Sequence, residues 1–191
     1  MEPGEHLDLL LEAMRIEGQA QRRLLAGRRD EALTGFREAA GLYRRSWELA
    51  PPLSFGRLIG MTKAATIAGD GAEEATYVRQ ALGDACDSPA SSYALAIAAL
   101  LSGDDGAALS AAEGMRAGDG AFCRAADAIS AIAEGSADAY RRAVRAIVCD
   151  FEGRQEHLTG VPIADTALML DTIAARRGMA ARPTSPLLPV L

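Results

Sequence analysis

The stretch "LLAGRRDEAL" at residues 24–33 decides the fold, because its arrangement recurs along the chain. An apolar run ends at a glycine, polar residues follow, and a second amphipathic run begins. The later copies are "TIAGDGAEEA" from residue 66, "LLSGDDGAAL" from residue 100 and "AIAEGSADAY" from residue 131. Such a recurrence is typical of helical hairpins whose two helices are joined by a short turn.

The glycine of each copy predicts the end of a helix. Glycine adopts the left-handed conformation that closes a helix without a steric penalty. These turn glycines are Gly27, Gly69, Gly103 and Gly135. The polar residues that follow them, among them Asp30, Asp104 and Ser136, can cap the next helix or complement its dipole.

The segments between the turns keep helical spacing. In one of them, apolar residues recur at steps of three and four, at Leu33, Phe36, Ala40, Tyr43 and Trp47. No segment alternates with period two over the length of a strand, and the one candidate strand, "PLLPVL" from residue 186, is interrupted by proline. We therefore predict an all-α fold, an array of antiparallel helical hairpins with about eight to ten helices and no sheet.

The predicted organisation is one helical-repeat domain over residues 1–178 and a proline-rich extended tail over residues 179–191. The leucines of the tail either dock on the last helices or fray. The predicted helices span residues 5–26, 30–49, 54–68, 72–83, 89–102, 105–116, 120–134, 137–152 and 162–177.

Composition narrows the classes of function. The net charge is −6 with both signs interspersed, so no basic face is expected to bind nucleic acid. The N-terminus lacks the pattern of a signal peptide and no apolar stretch reaches membrane-spanning length, so we expect a cytoplasmic protein without membrane contact. Cys86, Cys123 and Cys149 are odd in number and form no C-x-x-C pair, which predicts reduced, mostly buried thiols, with Cys149 a buried structural one.

The segment "EHLTGVPIADTALMLDTIAARRGM" at residues 156–179 contains His157, one of two histidines. Pro162 suits the first turn of a helix and Thr159 can cap that turn, so helix architecture explains most of the segment. A catalytic zinc usually has three protein ligands, and the other histidine, His6, has no patterned partner near it. We predict a structural or solvent-exposed role for His157.

No motif in the chain points to catalysis. Asp70, Asp104 and Asp105 fall in predicted turns, where a carboxylate caps or orders the turn. The sequence contains no nucleophile elbow, no glycine-rich phosphate loop and no H-E-x-x-H. We therefore predict a protein that is not an enzyme and has no catalytic residue, metal site or cofactor.

The stretch "LLAGRRDEALTGFREAA" from residue 24 resembles the second half of a tetratricopeptide repeat. The positions that this family keeps for the turn and for small or aromatic side chains are occupied by Ala20, Gly27, Ala32, Phe36 and Ala39. The chain departs from the pattern at Arg23, where the family is usually aromatic, and the later copies lose the aromatic residue. The resemblance implies a tetratricopeptide-like array of helical hairpins.

Residues 92–188 resemble the C-terminal half of bacterial immunity proteins of family forty-nine, which are all-helical predicted antidotes to polymorphic toxins. A proline-led helix, a closing glycine and a short proline-bounded end carry this resemblance, at Pro162, Ala164, Ala167, Gly178, Pro186 and Pro189. It implies one-to-one binding of a toxin. No binding residue carries over from that family.

The predicted function is a non-enzymatic interaction module that holds a protein or peptide partner in a helical groove, and an immunity protein that neutralises a toxin is one form of it. Polar residues on the first helices of the hairpins are the candidate contacts. They are Arg22, Lys63 and Tyr93, and we expect all of them to be exposed.

Two alternatives stay open. The chain could be a small-molecule-binding or accessory protein or enzyme of a bacterial biosynthetic pathway, with a pocket between helices. Phe36, Tyr43 and Trp47 share one helix face and could line such a pocket, although aromatic residues at this spacing more often belong to the core. The other alternative is a helical homodimer that acts as a scaffold.

Overall fold

The computed structural model describes residues 4–83 and 87–189. Over these residues the chain forms nine α-helices and no β-strand, so the all-α prediction is confirmed. None of the described helices combines the length and the apolarity needed to cross a membrane. The helices are α1 Glu5–Leu25, α2 Arg29–Leu49, α3 Gly56–Ile67, α4 Ala72–Leu82, α5 Pro89–Ser102, α6 Asp105–Met115, α7 Gly120–Ala133, α8 Ala137–Glu152 and α9 Asp165–Arg176.

The turn glycines end helices as predicted. All four have a positive φ, from 69° at Gly135 to 94° at Gly69. At the turn between α5 and α6, the carboxylate of Asp104 accepts a hydrogen bond from the N–H of Ala107 at 3.1 Å, so Asp104 caps α6. Ser136 makes no such bond to α8.

Each helix packs against the next one along the chain. In addition, α3 contacts α5, α5 contacts α7 and α7 contacts α9, as the helices of stacked hairpins do. The last helix, α9, also packs against α3. As a result, α9 covers side chains of α3 that an open groove would expose.

Small residues let the first three helices approach one another closely. A Cβ atom at Gly35 of α2 would lie 3.0 Å from the Cβ of Ala20 on α1. A Cβ atom at Gly60 of α3 would lie 2.9 Å from the ring of Tyr43 on α2. Larger residues at these glycines would push the helices apart, because the interior is close-packed. Helix α5 is buried on all sides over residues 91–100 and is the central helix of the fold.

The aromatic residues of α2 belong to the core. Phe36 and Tyr43 are buried, and Trp47 is half-buried with its ring stacked on that of Phe55 at a centroid distance of 6.0 Å. The interpretation of this aromatic face as core is confirmed.

The start of α9 differs from the prediction. The helix begins at Asp165 rather than at Pro162, and Thr159 does not cap it. The N–H of Ala164 donates instead to the carbonyl of Leu187 at 2.9 Å, which holds the residues before α9 in a non-helical conformation. The hydroxyl of Thr159 is hydrogen-bonded to the side chain of Gln21 on α1. Tertiary contacts with α1 and the tail therefore override the local preference for a helix.

The described part of the C-terminal tail, residues 179–189, forms no helix and docks on α8 and α9. The carboxylate of Asp171 on α9 accepts hydrogen bonds from the N–H groups of Ala181 at 2.7 Å and Arg182 at 3.2 Å. Leu187 and Leu188 pack against the core. Of the two possibilities that the sequence left open, docking is the one observed.

The prediction of mostly buried thiols is wrong for Cys149. This residue is exposed, because Val144, Val148 and Phe151 turn the apolar face of α8 inwards and Cys149 follows Val148 by one helical step, about 100° round the axis. Cys123 is half-buried, and Cys86 lies outside the described residues.

Candidate functional site

A cleft opens between helices α7 and α8 on one side and helices α3, α5 and α9 on the other. Its volume is about 190 Å³. We name it the α7–α8 cleft. Its apolar walls are formed by Ile59 of α3, Phe122 and Ala125 of α7, and Ile147 and Phe151 of α8.

The capped start of α7 positions Phe122 in the cleft. The carboxylate of Asp119 accepts hydrogen bonds from the backbone N–H groups of Ala121 at 2.9 Å and Phe122 at 3.2 Å, which fixes the first turn. The Phe122 ring then meets the ring of Tyr93 on α5 edge to face, at a centroid distance of 6.1 Å and an angle of 87°. The cleft wall is therefore held by both capping and aromatic packing.

Two arginines share one aspartate at the rim of the cleft. Arg154 donates to Asp150 Oδ2 through Nη2 at 2.7 Å and Nε at 3.1 Å, and Arg124 donates to Asp150 Oδ1 through Nη2. The Arg154 guanidinium also lies over the Phe151 ring, with Cζ 3.7 Å from the centroid. We name Arg124, Asp150 and Arg154 the rim cluster. About a third of each side chain is exposed, so the cluster is accessible to a ligand.

A second set of charged residues lies behind the cleft and is buried. Lys63 Nζ of α3 donates to Asp165 Oδ2 of α9 at 2.9 Å, and each side chain is only 12% exposed. Glu17 of α1 is buried as well and accepts a hydrogen bond from the Tyr43 hydroxyl at 2.6 Å. We name Glu17, Tyr43, Lys63 and Asp165 the buried cluster. It joins four helices, α1, α2, α3 and α9.

The charges of the buried cluster balance when Glu17 carries a proton. The pKa of Glu17 is raised to about 7, because burial and, after it, the charge of Asp165 raise the pKa more than Lys63 and the Tyr43 hydroxyl lower it. Burial lowers the pKa of Lys63, but the charge and hydrogen bond of Asp165, together with the neighbouring Tyr93 and Glu17, outweigh burial, so the net shift is upward. The Lys63 ammonium is thus paired with Asp165, and Glu17 takes up a proton near neutral pH.

Tyr93 belongs to both regions. Its ring lines the α7–α8 cleft, while its hydroxyl is buried and meets no hydrogen-bond partner among the described residues. Burial raises the pKa of this hydroxyl, whereas the charge of Lys63 and the neighbouring hydroxyl of Thr166 lower it. Thr166 lies beside Tyr93 without completing a hydrogen bond. The Tyr93 side chain is therefore the physical link between the cleft and the buried cluster.

The structure brings two of the three predicted contact residues together. Lys63 and Tyr93 are neighbours, whereas Arg22 is exposed on α1, outside the cleft and the buried cluster. The expectation of exposure is wrong for Lys63, because α9 packs over α3 and presents Asp165 to it. It is wrong for Tyr93 as well, because Tyr93 lies on the buried stretch of the central helix α5.

Sequence reasoning missed the rim cluster. Asp150 and Arg154 stand four residues apart at the end of α8, a spacing that favours an ion pair and was readable from the sequence. The pairing of Arg124 with Asp150 joins two helices, and no local pattern indicates it.

In the part of the chain that the structure describes, His157 and the acidic residues are not grouped as metal ligands. Within residues 4–83 and 87–189, no group of three or more His, Cys, Asp or Glu side chains is arranged to hold a metal ion. His157 is half-buried, with its ring centroid 6.2 Å from that of Phe151, and its Nδ1 has no hydrogen-bond partner in the same described ranges.

Comparison of the chain with protein-family models, with curated proteins and with solved structures gives no match. The two family likenesses noted in the sequence therefore stay resemblances, and function is argued from the α7–α8 cleft itself.

Proposed function

We propose that this protein is a non-enzymatic interaction module that binds a protein or peptide partner, and that the α7–α8 cleft receives one anchor side chain of that partner. The single observation that carries the proposal is the cleft itself, an apolar pocket of about 190 Å³ bordered by an ionic cluster that is about one-third exposed.

The size of the cleft favours a side chain over a larger ligand. An engineered protein cavity of about 150 Å³ holds one benzene molecule. Pockets for drug-sized ligands occupy about 300–1,000 Å³. At about 190 Å³ the cleft fits one ring or one branched aliphatic group. Interfaces commonly gain most of their binding energy from a few such anchors, surrounded by polar residues.

The polar residues of the cleft are suited to binding rather than to chemistry. Asp119 is engaged as the cap of α7, and Asp150 is engaged by two guanidinium groups. Both carboxylates thus already have donors within this chain. The remaining polar groups, on Tyr93, Arg124, Arg154 and Thr166, offer hydrogen bonds and charge.

A toxin is the partner class that the C-terminal resemblance implies. All residues that line the cleft, except Ile59, lie within the segment over residues 92–188 that carries this resemblance. The cleft thus lies in the half of the chain for which toxin binding is proposed.

Peptide selection tests the interaction function. Random peptides displayed on phage are selected on the whole chain, and each is then measured by fluorescence anisotropy against Ala121→Trp, which fills the mouth of the cleft. The control is Ala72→Trp, at an exposed position of α4 outside the cleft. We expect the peptides to share one large apolar residue. Ala121→Trp should weaken their binding by about tenfold or more, since losing an anchor costs more than about 1.4 kcal/mol. Equal binding to both variants would contradict the proposal.

A small-molecule site in the same cleft is the second candidate. The observation that favours it is the buried Tyr93 hydroxyl without a hydrogen-bond partner in the described chain, since such groups often mark functional positions. Thermal-shift measurements against a panel of small aromatic compounds separate the candidates. The small-molecule site would be favoured if a compound stabilises the chain and Ala121→Trp weakens the binding of none of the selected peptides.

A further inference from the structure

We propose that the α7–α8 cleft recognises the carboxy-terminal residue of its partner, with an apolar side chain between Phe122 and Phe151 and the terminal carboxylate on Arg124 and Arg154. The inference rests on the proposed interaction function and names the chemistry of the partner.

The rim cluster has more hydrogen-bond donors than acceptors. Among the described residues, Arg124 donates only through Nη2, and Arg154 only through Nε and Nη2, all to Asp150. A guanidinium carries five N–H groups, so most donors of the pair remain free. The cluster also carries one net positive charge, because a single carboxylate faces two guanidinium groups. An anion is the ligand that complements it.

The other carboxylate of the cleft does not cancel this charge. Asp119 accepts two backbone N–H groups at the start of α7, where the helix dipole places partial positive charge. The dipole, worth about half an elementary charge, offsets part of the Asp119 charge, and the remaining surplus at Arg124 and Arg154 stays available to a ligand.

The separation of the charged and apolar parts fits a single residue. Arg154 Cζ lies 3.7 Å from the centroid of Phe151, the ring that forms one wall of the cleft. A carboxylate held by Arg154 and a side chain packed on Phe151 must therefore lie within a few ångströms of each other. In a carboxy-terminal residue both groups are attached to the same Cα atom. An acidic side chain further along a peptide would lie farther from the anchor.

The partial burial of the rim cluster makes the contact specific. Arginine–carboxylate pairs are about twice as strong as neutral hydrogen bonds and are often bidentate. The side chains of Arg124 and Arg154 are 32% and 35% exposed, so a bound carboxylate would be partly shielded from water. The chain as a whole carries a charge of −6 and repels anions at long range, so recognition has to come from these two local cations.

The test compares acetylated alanyl-alanyl-phenylalanine as the free acid and as the amide, titrated into the whole chain by calorimetry. We expect the free acid to bind about tenfold more tightly. The double variant Arg124→Gln, Arg154→Gln should remove the preference. Arg79→Gln, whose arginine is paired with Asp104 outside the cleft, should retain it.

One further variant is expected to strengthen binding rather than to weaken it. Asp150→Asn removes the carboxylate that competes with the ligand for the two arginines, so the free acid should bind several-fold more tightly. If the rim cluster only stabilises the fold, the same change should weaken binding of the free acid. Circular dichroism confirms that each variant is folded, and the comparison of acid with amide on the unmodified chain needs no variant.

The outcomes separate the inference from the function beneath it. If the acid and the amide bind equally well and Ala121→Trp abolishes binding of both, recognition of the terminal carboxylate is overturned while the interaction function stands. Binding of 3-phenylpropionate to the cleft without binding of either peptide overturns both, in favour of the small-molecule alternative. An acid preference that persists in the double arginine variant also overturns the inference.

Discussion

The rim cluster and the buried cluster contain similar chemical groups but differ in what surrounds them. In the buried cluster, Lys63 and Asp165 are each 12% exposed, and the four residues of the cluster come from four different helices. In the rim cluster, Arg154 and Asp150 come from one helix and its end, and about a third of each side chain is exposed. The first arrangement commits every charge to holding helices together, whereas the second leaves donors free for a ligand.

The largest effect is expected from breaking the buried pair. Lys63→Met leaves Asp165 and Glu17 buried without a cation, so the free energy of unfolding should fall by about 3–5 kcal/mol. Urea denaturation measures it. The control is the double variant Lys63→Met, Asp165→Leu, which removes both charges and should recover most of the loss. A single variant within about 1 kcal/mol of the unmodified chain would show that the pair is not structural.

The pH dependence of stability reports on Glu17. Its pKa is about 7 in the folded chain, against an ordinary value of 4.5 when unfolded. Because the folded pKa is the higher one, the contribution to stability is complete below about pH 4.5 and is lost as the pH rises to about 7. Between about pH 5 and pH 8, the unmodified chain should lose about 2–3 kcal/mol of stability relative to Glu17→Gln.

The variant Glu17→Gln is the reference for that experiment, because glutamine mimics the protonated acid and does not titrate. It should be more stable than the unmodified chain at alkaline pH and close to it at acid pH. Parallel stability curves for the two chains would mean that Glu17 does not titrate in this range, and the two clusters would then differ less than the structure indicates.

Two buried tyrosines differ in whether their hydroxyl groups are hydrogen-bonded, and this difference predicts different effects on stability. The Tyr43 hydroxyl is bonded to Glu17, so Tyr43→Phe should cost about 1–2 kcal/mol of unfolding free energy. The Tyr93 hydroxyl has no partner among the described residues, so Tyr93→Phe should leave stability unchanged or raise it. Thermal denaturation of both variants checks the contrast. An equal loss in both would mean that Tyr93 has a hydrogen-bond partner in solution.

The sequence predicted the local features of the fold well. Gly103 and Asp104, for example, mark a helix end and the cap of the next helix through chemistry that acts within a few residues, and both were identified. The start of α9 was mispredicted because the residues before it respond to Gln21 and Leu187, which are distant in the chain.

The candidate site was less predictable for the same physical reason. The sequence predicts that Lys63 and Tyr93 are exposed, yet α9 buries Lys63 by supplying Asp165, which is 102 residues away in the sequence. The pairing of Arg124 with Asp150 likewise depends on how α7 packs against α8. Only the spacing of Asp150 and Arg154 on one helix end carried a local signal.

Only a small effect on stability is expected at the rim, and it is the most informative one. Arg154→Gln removes an ion pair that is about one-third exposed, so the free energy of unfolding should change by less than about 1 kcal/mol, as at other exposed pairs. Binding of the free-acid peptide should nevertheless fall several-fold, because Arg154 supplies donors to its carboxylate. Urea denaturation and calorimetry on the same preparation measure the two quantities. A group that keeps its hydrogen-bond donors free for a partner contributes little to the stability of the chain alone. A loss of stability as large as that of Lys63→Met would therefore place Arg154 among the residues that stabilise the fold, and would contradict its role in binding.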